Sequence, residues 1–491
     1  MLSMWDLLLV VLGLLAAFYY YLSWNLGHWK ARGVYSLPGA LPGVGHMWEN
    51  LMFRLGAQFL SCQIYHEAKG HPAVGIFAFR QPILLLRDLD LVQTVLIKEF
   101  SSFYDNTAAV NEDIDIYVSK NPFFMKDQRW KNLRQKLTPA FSPARIKMTF
   151  PLIQNVCEEF TNYIKKHLNE ELNINEVTGL FTSEVVAKCA FGLDGNAFHD
   201  PDAPFYQNGR KLWDGSINNS FEVLLHFFFP SINKILKRGY FPKEPLAFFE
   251  NIVKQTVEYR EKNPDKAADN DYLQFLINIK NKKEFTFVDV VAQCMTFFTD
   301  GFETSSVTAS FVLYELAMNP EIQEAVRQEV QGMDSFSYDN ISALPLLDRV
   351  LKETLRRYSI FALTKTCTKD CTLESNGLSF PVRKGDHIWV PAYAIHHDPD
   401  IYPNPDEFDP DRFLPENVKN RHPMSYMPFG AGPRICLGNR FGSCQVKMLV
   451  SNILANFKLV KSDKTVEKIT LNPLLPLPNA QEGVWLQFQK L

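Results

Sequence analysis

Cys436 lies in Phe429-Gly-Ala-Gly432-Pro433-Arg434-Ile-Cys436-Leu-Gly438, a stretch that brings a thiol, a bend and a cation together within ten residues. A thiolate, rather than a thiol, ligates metal, and its pKa falls beside cations and at helix N-termini. Arg434 supplies the cation. The apolar run Phe441 to Leu454 predicts a helix, whose first backbone N–H groups would point at the sulfur and favour its negative charge. Gly430 and Gly432 admit the backbone angles of a tight loop, and Gly438 admits a flat ligand close to the chain. A single cysteine held in this way suits haem iron, where a proximal thiolate pushes electron density towards O–O cleavage. Most lone cysteines are only buried small hydrophobes. The specified positions around this one argue against that reading here.

The segment resembles the haem-binding signature of the cytochrome P450 family, Phe-x-x-Gly-x-Arg-x-Cys-x-Gly, with every specified position matched. The resemblance implies haem b with Cys436 as axial ligand and with Phe429, Arg434 and Gly438 around it. It covers nearly all of residues 51–491. A second motif agrees with it. Val290 to Met318 is an apolar-rich helical pattern that contains Asp300-Gly301-Phe302-Glu303-Thr304-Ser305. Ser and Thr side chains compete for backbone carbonyls and can open a helix locally, and Gly301 weakens the same turn. In the family this is the distal helix motif, which implies that Thr304 hydrogen-bonds bound dioxygen while Glu303 supports proton delivery.

Asp300 departs from that motif, where relatives carry a small residue. It precedes Thr304 by four residues and shares its helix face. A carboxylate there enters an apolar cavity at considerable desolvation cost unless it is paired, hydrated or protonated. Three roles are open: selection of a substrate with a basic or hydroxyl group, service as an extra proton-relay acid, or pairing with a basic neighbour.

Trp130 and Arg134 are four apart, so an indole N–H and a guanidinium share one helical face. They match the family's propionate-binding Trp-x-x-x-Arg pair. Arg434 is implied as a third donor. Lys365 falls where many relatives place a propionate-binding Arg, although a lysine cannot make the bidentate contact. Glu353 and Arg356 are three apart, and with Arg412 they match the family's buried triad, whose implied role is to lock the Cys loop. Asp411 replaces the usual Glu beside Arg412.

The substrate is less legible. Phe103 to Phe124, Ser216 to Tyr240, Phe297 to Phe302, Ile360 to Leu363 and Leu474 to Leu477 fall where the family lines its cavity, and their common property is apolarity. Ser359-Ile360 stands where microsomal members carry Pro-Pro.

These side chains need a large scaffold, and 491 residues with 39 Phe can build one around an apolar interior. A net charge of −3 gives no support to a nucleic-acid partner. The eight cysteines are too irregularly spaced for a secreted disulfide framework. Cys367 and Cys371 are the one close pair, and no second pair joins them to make a zinc site. Leu7 to Leu22 is uncharged and extends from Met4 to Trp24, about the 20 residues that span a bilayer core. Tyr19, Tyr20, Tyr21 and Trp24 read as an interfacial belt, and Lys30 and Arg32 place the remainder in the cytosol. The rival, a cleaved signal peptide, lacks its basic n-region.

The expected architecture is therefore mainly α with minor β, a cytochrome P450 fold preceded by an N-terminal transmembrane helix. Residues 1–24 form the membrane anchor, 25–50 a Pro/Gly-rich hinge, and 51–491 the haem-thiolate catalytic domain. Gly75 to Leu86, broken at Arg80-Gln-Pro, reads as a β-hairpin, residues 125–360 read mostly as helices, and His387 to Pro391 and Val484 to Phe488 read as short strands. The implied activity is monooxygenation of a lipophilic small molecule in the endoplasmic reticulum (microsomal) membrane. No nucleotide-binding Gly motif follows a strand, so electrons from NADPH require a partner, NADPH–cytochrome P450 reductase, with cytochrome b5 as a further donor. The motifs most resemble the insect and vertebrate detoxification-type branch. Two alternatives remain at this point: a haem-thiolate isomerase or dehydratase that needs no O2, and a non-catalytic haem- or ligand-binding membrane protein.

Overall fold

The structure is a computed structural model that describes every residue except 1–2, 214–216, 264–269, 360–362, 473–474 and 476. Ser216, residues 360–362, Leu474 and Pro476, all in expected cavity-lining segments, therefore lie outside the described residues. The chain is mainly helical with small sheets, and it divides into two compact units.

Unit 1 comprises residues 1–108, 361–398 and 422–434. It begins with the helix Met4–Ser23, capped reciprocally by Ser3 and Asp6, with no buried residue and an apolar span of mean hydropathy 2.0. Its C-terminal end is tied down. The Gly43 amide donates to the Leu22 carbonyl at 3.0 Å, and the Arg80 guanidinium stacks 3.7 Å over the Tyr21 ring. A five-stranded sheet runs in the spatial order Ala73–Ala78, Gln81–Leu86, His387–Val390, Leu363–Thr366 and Asp105–Asn106. The first two strands form the expected hairpin, with Ala78 opposite Gln81. Its turn falls at Phe79-Arg80, one residue earlier than expected, because Phe79 takes the left-handed φ of 54° that a two-residue turn requires, which leaves Gln81 and Pro82 in the strand. Cys371–Ser375 and Leu378–Val382 make a separate two-stranded ribbon.

Unit 2 comprises residues 109–360, 399–421 and 435–491. Its axis is the helix Phe287–Met318, opened by a capping box between Thr286 and Asp289. This helix is buried along most of its length, as a residue pattern that is apolar on nearly all sides demands. It packs against Ile174–Val186, where Thr178 and Ser306 exchange a hydroxyl hydrogen bond of 3.0 Å. Phe298 and Phe302 stack beside Phe191, Phe205 and Phe249 in one aromatic core. The Phe441 to Leu454 expectation is realised as the helix Asn439–Asn456. The Val484 to Phe488 expectation is realised as Trp485–Lys490, paired with Phe457–Lys461 in a three-stranded sheet.

Candidate active site

In unit 2, Cys436 immediately precedes the N-cap region of Asn439–Asn456, and the backbone N–H groups of Gly438 and Asn439 both donate towards its sulfur. It is the one exposed cysteine of the eight. Burial nevertheless raises its thiol pKa, with the two N–H donors and the Arg134 guanidinium opposing the rise and the Asp300 charge adding to it. The expected fall in pKa is therefore not what the bare loop provides, because desolvation outweighs the helix terminus and the cation. A cation that bears on the thiol is Arg134.

Trp130 and Arg134 share one face of Asp127–Leu137, as the spacing requires, and Trp130 is buried. Burial depresses the Arg134 pKa, and among the described residues no carboxylate pairs with it. A built Cβ on Gly438 meets nothing within 4 Å, so the space beside that residue is open.

On Phe287–Met318, Asp300 shows the same combination as Cys436. Its side chain has accessible surface, yet burial pushes its carboxyl up to about 6. Thr299 Oγ1 donates to Asp300 Oδ1 at 3.0 Å, and Asn121 Nδ2 lies 3.2 Å from each carboxylate oxygen. The Thr304 hydroxyl donates to the Asp300 carbonyl at 2.6 Å. The helix is nonetheless assigned without interruption, so the expected local opening is absent: the hydroxyl shares the carbonyl without displacing the backbone bond. Glu303 is buried, burial raises its pKa, and the Arg210 charge offsets part of that rise. As a sequence neighbour of Thr304 it points about 100° away around the helix.

The triad is formed. Arg356 binds Glu353 in bidentate fashion, Nε to Oε2 at 2.7 Å and Nη2 to Oε1 at 2.8 Å, with both side chains fully buried. Arg412 Nε lies 3.3 Å from Glu353 Oε1, and Arg412 also donates to the Asn404 carbonyl at 2.8 Å. Arg356 donates to the Pro405 carbonyl at 2.8 Å, so the triad fixes the segment 404–412. Asp411, in place of the usual Glu, pairs with Arg349.

Unit 1 holds the remaining expected residues. Lys365 Nζ donates to Asn106 Oδ1 at 2.8 Å, and burial first, then the Arg434 charge, lower its pKa to about 7. Arg434 Nη2 lies 3.6 Å from Asp105 Oδ1. Lys365 and Arg434 thus both lie near the Asp105 carboxylate. Phe429 is half-buried. A Cβ on Gly432, whose φ is 71°, would lie 2.0 Å from the Leu96 carbonyl oxygen, so the loop admits only glycine there.

Sequence reasoning missed Asn121, which binds Asp300, and Gln445, whose Nε2 donates to Ser305 Oγ at 2.6 Å. Neither belongs to a motif, and no local signal marks them.

In unit 2, a thiol with two N–H donors, an open side at Gly438 and a guanidinium without a carboxylate partner among the described residues fit the haem-thiolate ligation that the motif implies. The comparison with known proteins agrees. The family model described as Cytochrome P450 matches residues 37–483. The chain belongs to the cytochrome P450 family. Members of the family bind haem through a cysteine thiolate and act as monooxygenases. Among its relatives, the probable cytochrome P450 6a13 of Drosophila melanogaster is 34% identical, with 99% of each chain covered. Cytochrome P450 6k1 of Blattella germanica is 32% identical over 99% of this chain and 97% of its own. These similarities place this P450 with the insect members of the family.

Proposed function

We propose that this P450 inserts one oxygen atom from O2 into a lipophilic small molecule, with electrons from NADPH delivered by NADPH–cytochrome P450 reductase and cytochrome b5. The Met4–Ser23 helix anchors it in the endoplasmic reticulum membrane, residues 25–50 aim the catalytic region, and residues 51–491 work on the cytosolic face. The observation that carries this reading is Cys436, whose sulfur meets two backbone N–H groups and the Arg134 charge while keeping accessible surface.

Haem held by the Cys436 thiolate supplies the activation of dioxygen. The protein's own residues hold and protonate. Trp130, Arg134, Arg434 and Lys365 would serve as donors to the propionates. Gly438 would leave room for the flat ring, and Phe429 would be among the residues that hold it. The two N–H groups at the helix start stabilise the sulfur's charge. Because Thr304 donates its proton to the Asp300 carbonyl, its oxygen is left as an acceptor that can orient a hydrogen-bond donor beside it. Glu303, whose carboxyl pKa burial raises with the Arg210 charge opposing, is the acid proposed to supply protons on this helix. Glu353, Arg356 and Arg412 are structural.

The test is reconstitution of the full chain with the reductase. NADPH consumption with an oxygenated product supports the reading, and turnover of a peroxide without NADPH replaces it with the isomerase class. Absence of the thiolate-type red shift in the reduced, CO-bound spectrum removes Cys436 as ligand.

A further inference from the structure

Asp300 carries a charge that its hydrogen bonds do not need. Asn121 is oriented by its own backbone surroundings: its Oδ1 accepts the Phe123 N–H at 2.7 Å, which turns Nδ2 towards the carboxylate. The segment bearing Asn121 is already fastened to the long helix by two other contacts. Lys120 Nζ pairs with Asp289 at 2.7 Å, and Gln293 Nε2 donates to the Lys120 carbonyl at 2.8 Å. A neutral acceptor at position 300 would complete such a clamp. A carboxylate in this place instead leaves lone pairs over, since it accepts about four hydrogen bonds and Asn121 and Thr299 use only part of that capacity.

No Lys, Arg or His pairs with Asp300 among the described residues, while its side chain retains accessible surface. Phe297 is one turn earlier on the same helix, and the Asp300 charge adds to burial in raising the pKa of the Tyr240 and Tyr272 phenols. A carboxylate attracts a cation by direct Coulomb interaction. A neutral lipophile leaves that charge uncompensated.

We propose that Asp300, held by Asn121, is the anchoring subsite for lipophilic ligands that carry a cationic nitrogen. This rests on the haem-thiolate reading for its place in the substrate space, but it names a chemical class which that reading leaves open. Asp300 acts as a specificity-determining residue that binds the ligand and takes no part in the chemistry.

The probe is a pair of shape-matched molecules, benzyltrimethylammonium and neopentylbenzene, measured by equilibrium dialysis against the full-length, haem-loaded protein at neutral pH. The quaternary nitrogen has no lone pair, so it cannot ligate iron and mimic the effect. The wild type should bind the cation about tenfold more tightly than the hydrocarbon. Asp300→Asn should reduce that ratio to about twofold or less while leaving neopentylbenzene binding unchanged, and Asp300→Glu should keep the preference. A cation preference that survives in Asp300→Asn, or its absence in the wild type, overturns the subsite. The reduced, CO-bound spectrum of each sample separates the two readings. A lost thiolate band with an intact, Asp300-dependent preference sinks the monooxygenase reading alone, and an intact band without that preference sinks this inference alone.

Discussion

Gln445 donates a 2.6 Å hydrogen bond to the Ser305 hydroxyl, and this buried contact joins the helix that follows Cys436 to the helix that carries Thr304. It sets the distance between the two proposed halves of the chemistry within unit 2. Gln445→Leu would leave Ser305 without this donor, and an unsatisfied buried group costs about 1–3 kcal/mol. The expected result is a lower urea midpoint with an unchanged slope. A midpoint equal to that of the wild type would show that the contact is dispensable.

The triad should be far less tolerant. Glu353→Ala leaves the Arg356 and Arg412 guanidiniums in a buried site without their carboxylate, a change worth about 3–5 kcal/mol. Little folded, protease-resistant protein is expected from this variant. Arg349→Ala breaks only the pair with Asp411, an exposed residue, and should yield normal amounts.

Retention of haem separates the proposed propionate donors. Arg134 is a permanent charge without a carboxylate partner among the described residues, and Arg134→Ala should speed haem transfer to excess apomyoglobin by about tenfold or more, the value of a charge-assisted hydrogen bond. Lys365 has a pKa lowered to about 7 and already donates to Asn106, so Lys365→Ala should have the smaller effect. Equal transfer rates for Arg134→Ala and the wild type would remove Arg134 from the donor set.

How much of this could be read from the sequence depended on whether the information was local. The Cys436 loop, the Trp130–Arg134 pair and Glu353–Arg356 were legible because spacings of two to four residues on one loop or helix already bring the side chains together. The helices and the hairpin followed from apolar period and turn residues. Asn121 with Asp300 and Gln445 with Ser305 were not legible, because each joins segments 179 and 140 residues apart and only packing puts them in contact. The direction of the Cys436 pKa was misread for the same reason. A nearby cation is visible in sequence, whereas the atoms that desolvate the sulfur come from distant segments.

Asp300 should also leave a mark on stability, and its sign follows from the raised pKa. The folded carboxyl titrates at about 6, and the unfolded one near the ordinary value of about 3.9. Between those values the folded chain binds more protons than the unfolded chain, so this group's contribution to stability falls as pH rises through the window. Above about pH 6 its full cost is present, and below about pH 4 none of it is. Asp300→Asn removes the titration and keeps a similar shape. The variant should therefore exceed the wild type in stability at neutral pH, and its advantage should shrink towards zero as the pH falls to about 4. Urea midpoints for both proteins across that range give the answer. Curves that run parallel would mean that the carboxylate is not desolvated, and a variant less stable at neutral pH would mean that the charge is compensated by a partner in the folded chain.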